Sequence, residues 1–126
     1  MATLSETVLQ AWEDRDGPVI LATISPDGIP NIIYVTCVNR FDNTRLVVAD
    51  NYFQKTKANA LGTNKNGALL FRDKAGGAYQ VKGKLEYLQE GEIFQHMKSW
   101  NPPKHPGHAA LVLNVETVFS GAQQIC

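Results

Sequence analysis

The amino-acid sequence predicts a mainly β protein: a six-stranded antiparallel β-barrel with flanking helices. Short runs of β-branched and apolar residues recur along the chain and are separated by turn sequences, as is typical of strands that pair in hairpins. Three segments with helical periodicity are too few and too unevenly placed for a doubly wound parallel sheet. At 126 residues and 13.9 kDa, the chain fits one domain over residues 1–126.

The predicted elements follow the order helix, three strands, helix, two strands, helix, strand. In the first helix Leu4, Val8 and Trp12 share one face, and Gly17 with Pro18 ends it. The predicted bounds are a helix over 3–14, strands over 19–25, 29–39 and 45–49, a helix over 53–64, strands over 67–71 and 79–88, a short helix through 93–100 and a strand over 110–115.

Turn chemistry and alternation justify the strands. Residues 26–28, Pro-Asp-Gly, predict a turn that joins the runs 19–25 and 29–39 as a hairpin. In the run 79–88 apolar residues or glycine alternate with polar ones, which indicates that one face of this strand is wet. In the second helix Phe53, Ala60 and Leu61 share a face, which is expected to be the buried one.

The charge and cysteine content exclude several classes of protein. Twelve Lys and Arg balance twelve Asp and Glu, so the chain lacks the positive excess of a general nucleic-acid binder. No apolar run reaches the roughly 20 residues that span a bilayer, and no secretory signal opens the chain. Cys37 and Cys126 lie in different settings and do not form a disulfide framework. We expect a cytoplasmic protein with free thiols and without nucleic-acid or membrane partners.

The segment 47–59 is the most informative one for function. A strand ends at Asp50 and Asn51, and a helix begins near Phe53 or Gln54. Lys55 in the first turn adds an ammonium group to unpaired backbone N–H groups, and Thr56 beside it adds a hydroxyl. Such a combination suits a phosphate monoester. A solvated, capped helix start without a ligand explains the same residues, and the pattern alone leaves both interpretations open.

The order of motifs in this region resembles a known family. Asn51 to Leu61, followed by Asn64 and by Gly67 to Phe71, is similar to the signature segment of the pyridoxamine 5′-phosphate oxidase-like FMN-binding split barrels. The small single-domain FMN-binding proteins of that group are the most similar. The resemblance extends from Val19 to Val115 and implies a split barrel of the FMN-binding type.

The resemblance also implies a cofactor, FMN, and a set of residues that bind it. Lys55 and Thr56 match the pair that holds the FMN phosphate. The pocket of this family lies at a homodimer interface, and Trp100 is the candidate for a residue contributed by the partner subunit. The remaining matches lie along the second strand and at the end of the next one: Ile33, Tyr34, Val35, Thr36, Ala49, Asp50 and Asn51.

Departures from the family pattern restrict the function. Ile33 and Val38 stand where the full oxidase has basic residues, and residues 121–126 lack its Arg-x-His-like substrate motif. Vitamin B6 oxidation is therefore not expected. The resemblance implies a flavin oxidoreductase or electron carrier that serves a small-molecule donor or acceptor. A non-enzymatic module that stores FMN or senses its redox state, and a barrel that binds haem or another planar ligand, remain alternatives.

No residue is predicted to act as an acid–base catalyst or a metal ligand. His105 and His108 lie three apart, but Pro106 and Gly107 between them prevent a regular helix, and no nearby Cys, Asp or Glu completes a metal set. These histidines are predicted to be ordinary loop residues.

Overall fold

The computed structural model describes residues 2–126 as a curled antiparallel sheet with three helices. In chain order the elements are α1 (Glu6–Glu13), β1 (Val19–Ile24), β2 (Pro30–Val35), β3 (Val38–Asp42), β4 (Arg45–Asp50), α2 (Lys55–Leu61), β5 (Asn66–Arg72), β6 (Ala78–Leu88), α3 (Glu92–Trp100), β7 (Ala109–Ser120) and β8 (Gln123–Gln124).

The strands form a split barrel. Their order across the sheet is β2-β1-β5-β6-β7-β4-β3, all neighbours are antiparallel, and β8 pairs with β7. The edge strands β2 and β3 follow each other along the chain but lie at opposite ends of this order. The predicted barrel class is confirmed, and so is the first hairpin, in which Val19 lies opposite Val35.

The predicted number of strands, six, is wrong, because the sheet has eight. The run 29–39 is two strands rather than one. The chain leaves β1 after Val35 and pairs with β4 from Val38, across a break at Thr36 and Cys37. Neither residue of the break is glycine or proline, so the sequence gives no turn signal there. The last strand also runs on to Ser120 and turns back as β8.

The main core fills the barrel and is closed by α1. Trp12 on this helix contacts the ring of Phe71 edge to face, with 5.0 Å between centroids. Leu21, Leu69 and Val81 from neighbouring strands lie in the same cluster and are almost completely buried. A second cluster lies under α3, where Met97 packs against β4 and β7. The two clusters bury opposite faces of the same strands.

The second helix is shorter than predicted, and of its predicted apolar face Ala60 is buried whereas Leu61 is not. Its buried residues are Thr56, Asn59 and Ala60, whereas Leu61, expected on the buried face, is 57% exposed. Polar residues can face the sheet because they find partners there: the Asn59 side-chain amide donates to the Thr23 hydroxyl at 3.0 Å. Hydrogen bonds therefore hold α2 against the sheet together with the apolar contact of Ala60 in the main core.

The irregular pairing between β6 and β7 requires a glycine. The register between these strands shifts between Lys82 and Gly83, so β7 carries a bulge there. A Cβ atom added to Gly83 would lie 1.8 Å from the backbone oxygen of Asn114. The close approach of the two backbones leaves no room for a side chain.

Among residues 2–126, no helix has the length and apolar character needed to cross a membrane.

Candidate functional site

The site begins where β4 ends. Asp50, the last residue of the strand, is 1% exposed, and its carboxylate accepts a hydrogen bond from the Phe53 backbone N–H at 3.0 Å and another from the Tyr87 hydroxyl. Burial raises the pKa of Tyr87, and the hydrogen bond to the carboxylate raises it further. The carboxylate thus fixes the turn of residues 51–53 that leads into α2.

A groove lined by both polar and apolar residues lies at the start of α2. Lys55 is exposed and, within residues 2–126, forms neither an ion pair nor a side-chain hydrogen bond. Thr56 is 2% exposed, and its hydroxyl accepts from the Asn31 side-chain amide at 3.2 Å, which leaves the hydroxyl hydrogen free to donate. This lysine groove has a volume of about 310 Å³ and is lined by Asn31, Ile33, Tyr52, Phe53, Gln54, Lys55 and Thr56.

A second groove lies between the edge strand β2 and the end of β4. Its volume is about 330 Å³, at the lower end of the usual size range of small-molecule sites. Three residues, Ile33, Tyr52 and Phe53, line both grooves, so the two adjoin. This edge-strand groove is lined by Ile33, Tyr34, Val35, Thr36, Cys37, Ala49, Asn51, Tyr52, Phe53 and His105.

The backbone of β2 gives the edge-strand groove hydrogen-bonding capacity. The strand has a paired neighbour, β1, on one side only. Every second N–H and C=O of an edge strand therefore points away from the sheet without a strand partner. A planar heterocycle with donors and acceptors on its rim could bind to these groups while its faces contact apolar side chains.

The loop 101–108 contributes His105 to the lining of the edge-strand groove. Asn51 and Asn101, both 7% exposed, form two reciprocal amide hydrogen bonds of 3.1 and 2.9 Å, and the Gly107 N–H donates to Asn51 at 3.0 Å. The His108 N–H donates to the Asp50 carbonyl at 2.8 Å. These contacts place His105 against Tyr52, with 3.1 Å between Nδ1 and the hydroxyl oxygen.

Eight of the ten residues predicted for the site line the two grooves. Asp50 does not line either groove. Its buried carboxylate accepts hydrogen bonds from Phe53 and Tyr87 and holds the turn of residues 51–53. Trp100 also lies outside both grooves of its own chain, packed in the cluster under α3, where its indole N–H donates to His96 at 3.3 Å. The eight that line the grooves are Ile33, Tyr34, Val35, Thr36, Ala49, Asn51, Lys55 and Thr56.

Several groove residues were not predicted. Tyr52, Phe53 and Gln54 lie within the segment that carries the family resemblance, and their position between Asn51 and Lys55 is a signal that could have found them. Asn31 and Cys37 flank the predicted strand residues. His105 has no local signal, because the long-range contacts of its loop bring it to the groove.

An apolar surface adjoins the edge-strand groove on the outer face of the sheet. Ile32 and Tyr34 on β2 are 69% and 75% exposed, and Leu70 on β5 is 40% exposed. Ile20 lies between them, opposite both Tyr34 and Leu70 in the strand register. We refer to Ile20, Ile32, Tyr34 and Leu70 as the outer apolar face. Contiguous apolar surface of this kind commonly marks an interaction site.

Within the part of the chain that the structure describes, no three His, Cys, Asp or Glu residues lie close enough together to hold a metal ion.

The fold and the grooves together define a split-barrel protein with two adjoining grooves beside its edge strand. The sequence profile of the pyridoxamine 5′-phosphate oxidase family matches residues 5–120. The chain belongs to this family, which confirms the resemblance stated from its motifs.

Individual relatives match most of the chain. An uncharacterized protein of Methanocaldococcus jannaschii is 29% identical over 123 residues, which are 93% of this chain and 80% of that one. HupZ of Group A Streptococcus superimposes with a TM-score of 0.81 at 20% identity over 93% of both chains. An FMN-binding protein of Syntrophomonas wolfei superimposes with a TM-score of 0.76 at 21% identity, over 90% of this chain and 83% of that one. Likeness to these two structures shows the fold.

Proposed function

We propose that this protein binds FMN, with the phosphate in the lysine groove and the isoalloxazine ring in the edge-strand groove. The observation that carries the proposal is the junction of the two grooves. An apolar groove beside an unpaired strand edge leads directly to a lysine that has no other partner among the described residues. The FMN-binding protein of Syntrophomonas wolfei, which shares the fold, supports the choice of cofactor.

The residues of the lysine groove fit a phosphate monoester. The ammonium of Lys55 supplies a positive charge, and the hydroxyl of Thr56 supplies a donor whose orientation is fixed by Asn31. Thr56 needs no reorganisation to bind because it is already buried and positioned. An ammonium and an oriented hydroxyl at one end of an apolar groove favour a ligand that carries its anion at one end.

The residues of the edge-strand groove fit a flavin ring. Ile33, Ala49 and Phe53 offer apolar contact, and outward-facing backbone groups of β2 can bind the polar rim of a planar ring. Backbone N–H groups aimed at the rim would stabilise negative charge that develops there. FMN supplies the redox chemistry when bound, while the protein holds the phosphate, orients the ring and sets its electrostatic surroundings.

We propose an oxidoreductase or electron carrier that serves a small-molecule donor or acceptor, without vitamin B6 oxidase activity. Ile33 lines the apolar groove and Val38 is buried in the main core, so neither position offers a cation to a second phosphate. The C-terminal residues pair back onto β7 through β8. The cytoplasmic location and the absence of nucleic-acid and membrane partners stay predictions from the sequence.

We also propose a homodimer that closes the site. The outer apolar face is continuous with the edge-strand groove, because Ile33 and Tyr34 also line a small hollow with Ile20 and Ile32 on that face. A second copy packed there would cover exposed apolar surface and shield a ring bound beside β2. Trp100, which lies outside the grooves of its own chain, would then be available to the site of the partner subunit.

The direct test is a titration of purified protein with FMN and with riboflavin, which lacks the phosphate. We expect yellow protein and a preference for FMN. Lys55→Ala should weaken FMN binding about ten- to hundredfold, the effect of losing one charge-assisted hydrogen bond, and leave riboflavin binding unchanged. Lys74→Ala, which removes the same charge from a distant hairpin turn, is the control and should bind both ligands normally.

Three observations test the phosphate assignment and separate the alternative functions. Equal affinity for riboflavin and FMN would contradict the phosphate assignment. Bound FMN without turnover of a reduced nicotinamide and an electron acceptor would favour the non-enzymatic module. The visible spectrum of freshly purified protein distinguishes flavin from haem before either titration is made.

A further inference from the structure

The loop 101–108 is fixed more firmly than a surface connection requires. Its hydrogen bonds to the end of β4 and to the residue after it come from Asn101, Gly107 and His108, as described above. From the other side, the Lys98 ammonium donates to the carbonyls of Pro106 at 3.0 Å and Gly107 at 3.4 Å. A loop held at both ends in this way presents His105 at one place in the edge-strand groove.

The contact between Tyr52 and His105 can persist in both protonation states of the imidazole. The rings meet edge to face with 5.6 Å between centroids, and the hydroxyl lies 3.1 Å from Nδ1. A tyrosine hydroxyl donates to a neutral imidazole nitrogen and accepts from a protonated one. The pair can therefore take up or release one proton without breaking its hydrogen bond.

We infer that His105, positioned by Tyr52 and by the Asn51–Asn101 amide pair, is the proton-exchanging residue of the edge-strand groove and neutralises the charge that a flavin ring gains on reduction. This inference rests on the proposed function. Among the side chains that line the groove, histidine is the type that ordinarily titrates closest to neutral pH, since tyrosine and cysteine titrate at higher pH. A negative ring beside the imidazole would favour its protonated form.

The surroundings of His105 contain no carboxylate that lines the groove. Tyr52 contacts its ring, and Tyr34 and Cys37 face it across the groove from β2 and the break after it. Lys98 of α3 donates to the carbonyls of Pro106 and Gly107 in the loop. Lys104 and His108 are nearby charged or titratable groups, and both are exposed on the same loop. Asp50 is also nearby, but its carboxylate is buried and already accepts hydrogen bonds from Tyr87 and Phe53. Negative charge in the groove would therefore come from the ligand.

The number of protons that the protein binds when its flavin is reduced determines what should be measured. Dithionite serves as the reductant and donates two electrons to the bound flavin. A flavin that receives these two electrons would bind one proton and keep one negative charge near neutral pH. In the pH range where His105 is neutral beside the oxidised ring and protonated beside the reduced one, the imidazole would take a second proton from water, and the wild-type protein would bind two protons for two electrons. Without His105 only the proton on the ring remains, and the slope of reduction potential against pH should be half as steep.

The experiment measures the reduction potential of the FMN-loaded protein from about pH 6.5, the ordinary histidine pKa, to about pH 8. We expect His105→Gln to halve the slope, while His108→Gln, which changes an exposed histidine on the same loop, keeps the wild-type slope. Tyr52→Phe should retain the slope but shift the pH range over which it holds, because the imidazole loses its hydroxyl partner.

A second measurement needs no variant. The ring of His105 is followed by NMR through a pH titration of the wild-type FMN-loaded protein, oxidised and then reduced with dithionite. Protonation should occur at higher pH in the reduced state. Identical titrations in the two states, or a wild-type slope in His105→Gln, would overturn the inference and leave FMN binding intact. Failure to bind FMN at all would overturn the proposed function and this inference with it.

Discussion

At the scale of single residues, burial separates the side chains that build the site from those that can contact a ligand. Asp50 and Lys55 lie five positions apart and were both predicted to bind the cofactor. The carboxylate of Asp50 is buried and fully engaged with Phe53 and Tyr87, whereas the ammonium of Lys55 is exposed and unpaired within residues 2–126. We therefore assign Asp50 a positioning role and keep Lys55 as a proposed ligand-binding residue.

Asp42 gives a pH-dependent prediction at this scale. Burial acts to raise the pKa of Asp42, but hydrogen bonds from the Arg45 guanidinium and from Thr44 outweigh it and lower the pKa to about 2. The ordinary aspartate pKa is about 3.9, so the stabilisation is complete above about pH 4 and is lost as the pH falls toward 2.

The check is the denaturation midpoint of the wild-type protein and of Asp42→Asn at neutral pH and through this acid range. The variant should be less stable at neutral pH and should approach the wild type near pH 2. Asp16→Asn is the matched control, because its ion pair with Arg72 is 3.2 Å long but more than half exposed on both sides and contributes little. A constant difference between Asp42→Asn and the wild type at every pH would contradict the assignment.

At the residue scale, the sequence anticipated groove-lining residues where they follow one another along the chain. Lys55 and Thr56 were placed in the site by a short motif, and the same motif spans Tyr52 and Phe53. His105 could not be placed, because its position depends on hydrogen bonds between residues about 50 positions apart, such as those of Asn51 with Asn101. No local pattern encodes such a pairing.

At the scale of elements, the sequence predicted most strands correctly but missed the break between β2 and β3. Periodicity located all three helices and the long strand β6, whose Val81 and Leu85 face the core while Lys82 and Lys84 are exposed. The break between β2 and β3 was missed because its residues also favour strands. A change of pairing partner, from β1 to β4, causes the break, and that change is a property of the sheet rather than of the segment.

Gly83 provides the element-scale prediction. Gly83→Ala would place a Cβ against the backbone of Asn114, and a backbone atom cannot yield as a flexible side chain can. We expect a loss of about 1–3 kcal/mol or more in the free energy of unfolding, measured by denaturant titration. Gly76→Ala tests a glycine of the neighbouring turn, where nothing lies within 4 Å but φ is +91°, so its cost should come from backbone strain alone. A Gly83→Ala protein as stable as the wild type would contradict the close approach of the β6 and β7 backbones at this position.

At the scale of the whole molecule, the proposed dimer explains why apolar side chains remain exposed on one side of the sheet. We expect light scattering to give a mass near twice 13.9 kDa at low micromolar concentration. Leu70→Lys lies on the outer apolar face but outside the two site grooves, so it should shift the protein toward monomer. Ile125→Lys, which alters an exposed apolar residue near the C-terminus, should remain dimeric.

Trp100 connects the dimer with the site. If the partner subunit contributes this residue, Trp100→Ala should lower the free energy of FMN binding more than it lowers the free energy of unfolding. This is expected even though the indole packs under α3. Phe94→Ala, from the same cluster, controls for the loss of packing. Unchanged FMN affinity in Trp100→Ala would remove the residue from the site, and a monomer that binds FMN tightly would rule out a site completed by the partner.

The separation of β2 and β3 at opposite ends of the sheet has a consequence for how a ligand enters. The edge-strand groove lies along the seam of the barrel, where a strand is held by one neighbour instead of two. A strand held by one neighbour opens locally at lower free energy than the doubly paired strands β5, β6 and β7, so the edge of the groove can move as a ligand enters while these strands stay paired. A ring bound in this groove would contact both β2 and the end of β4, and it should therefore slow amide exchange in these two segments.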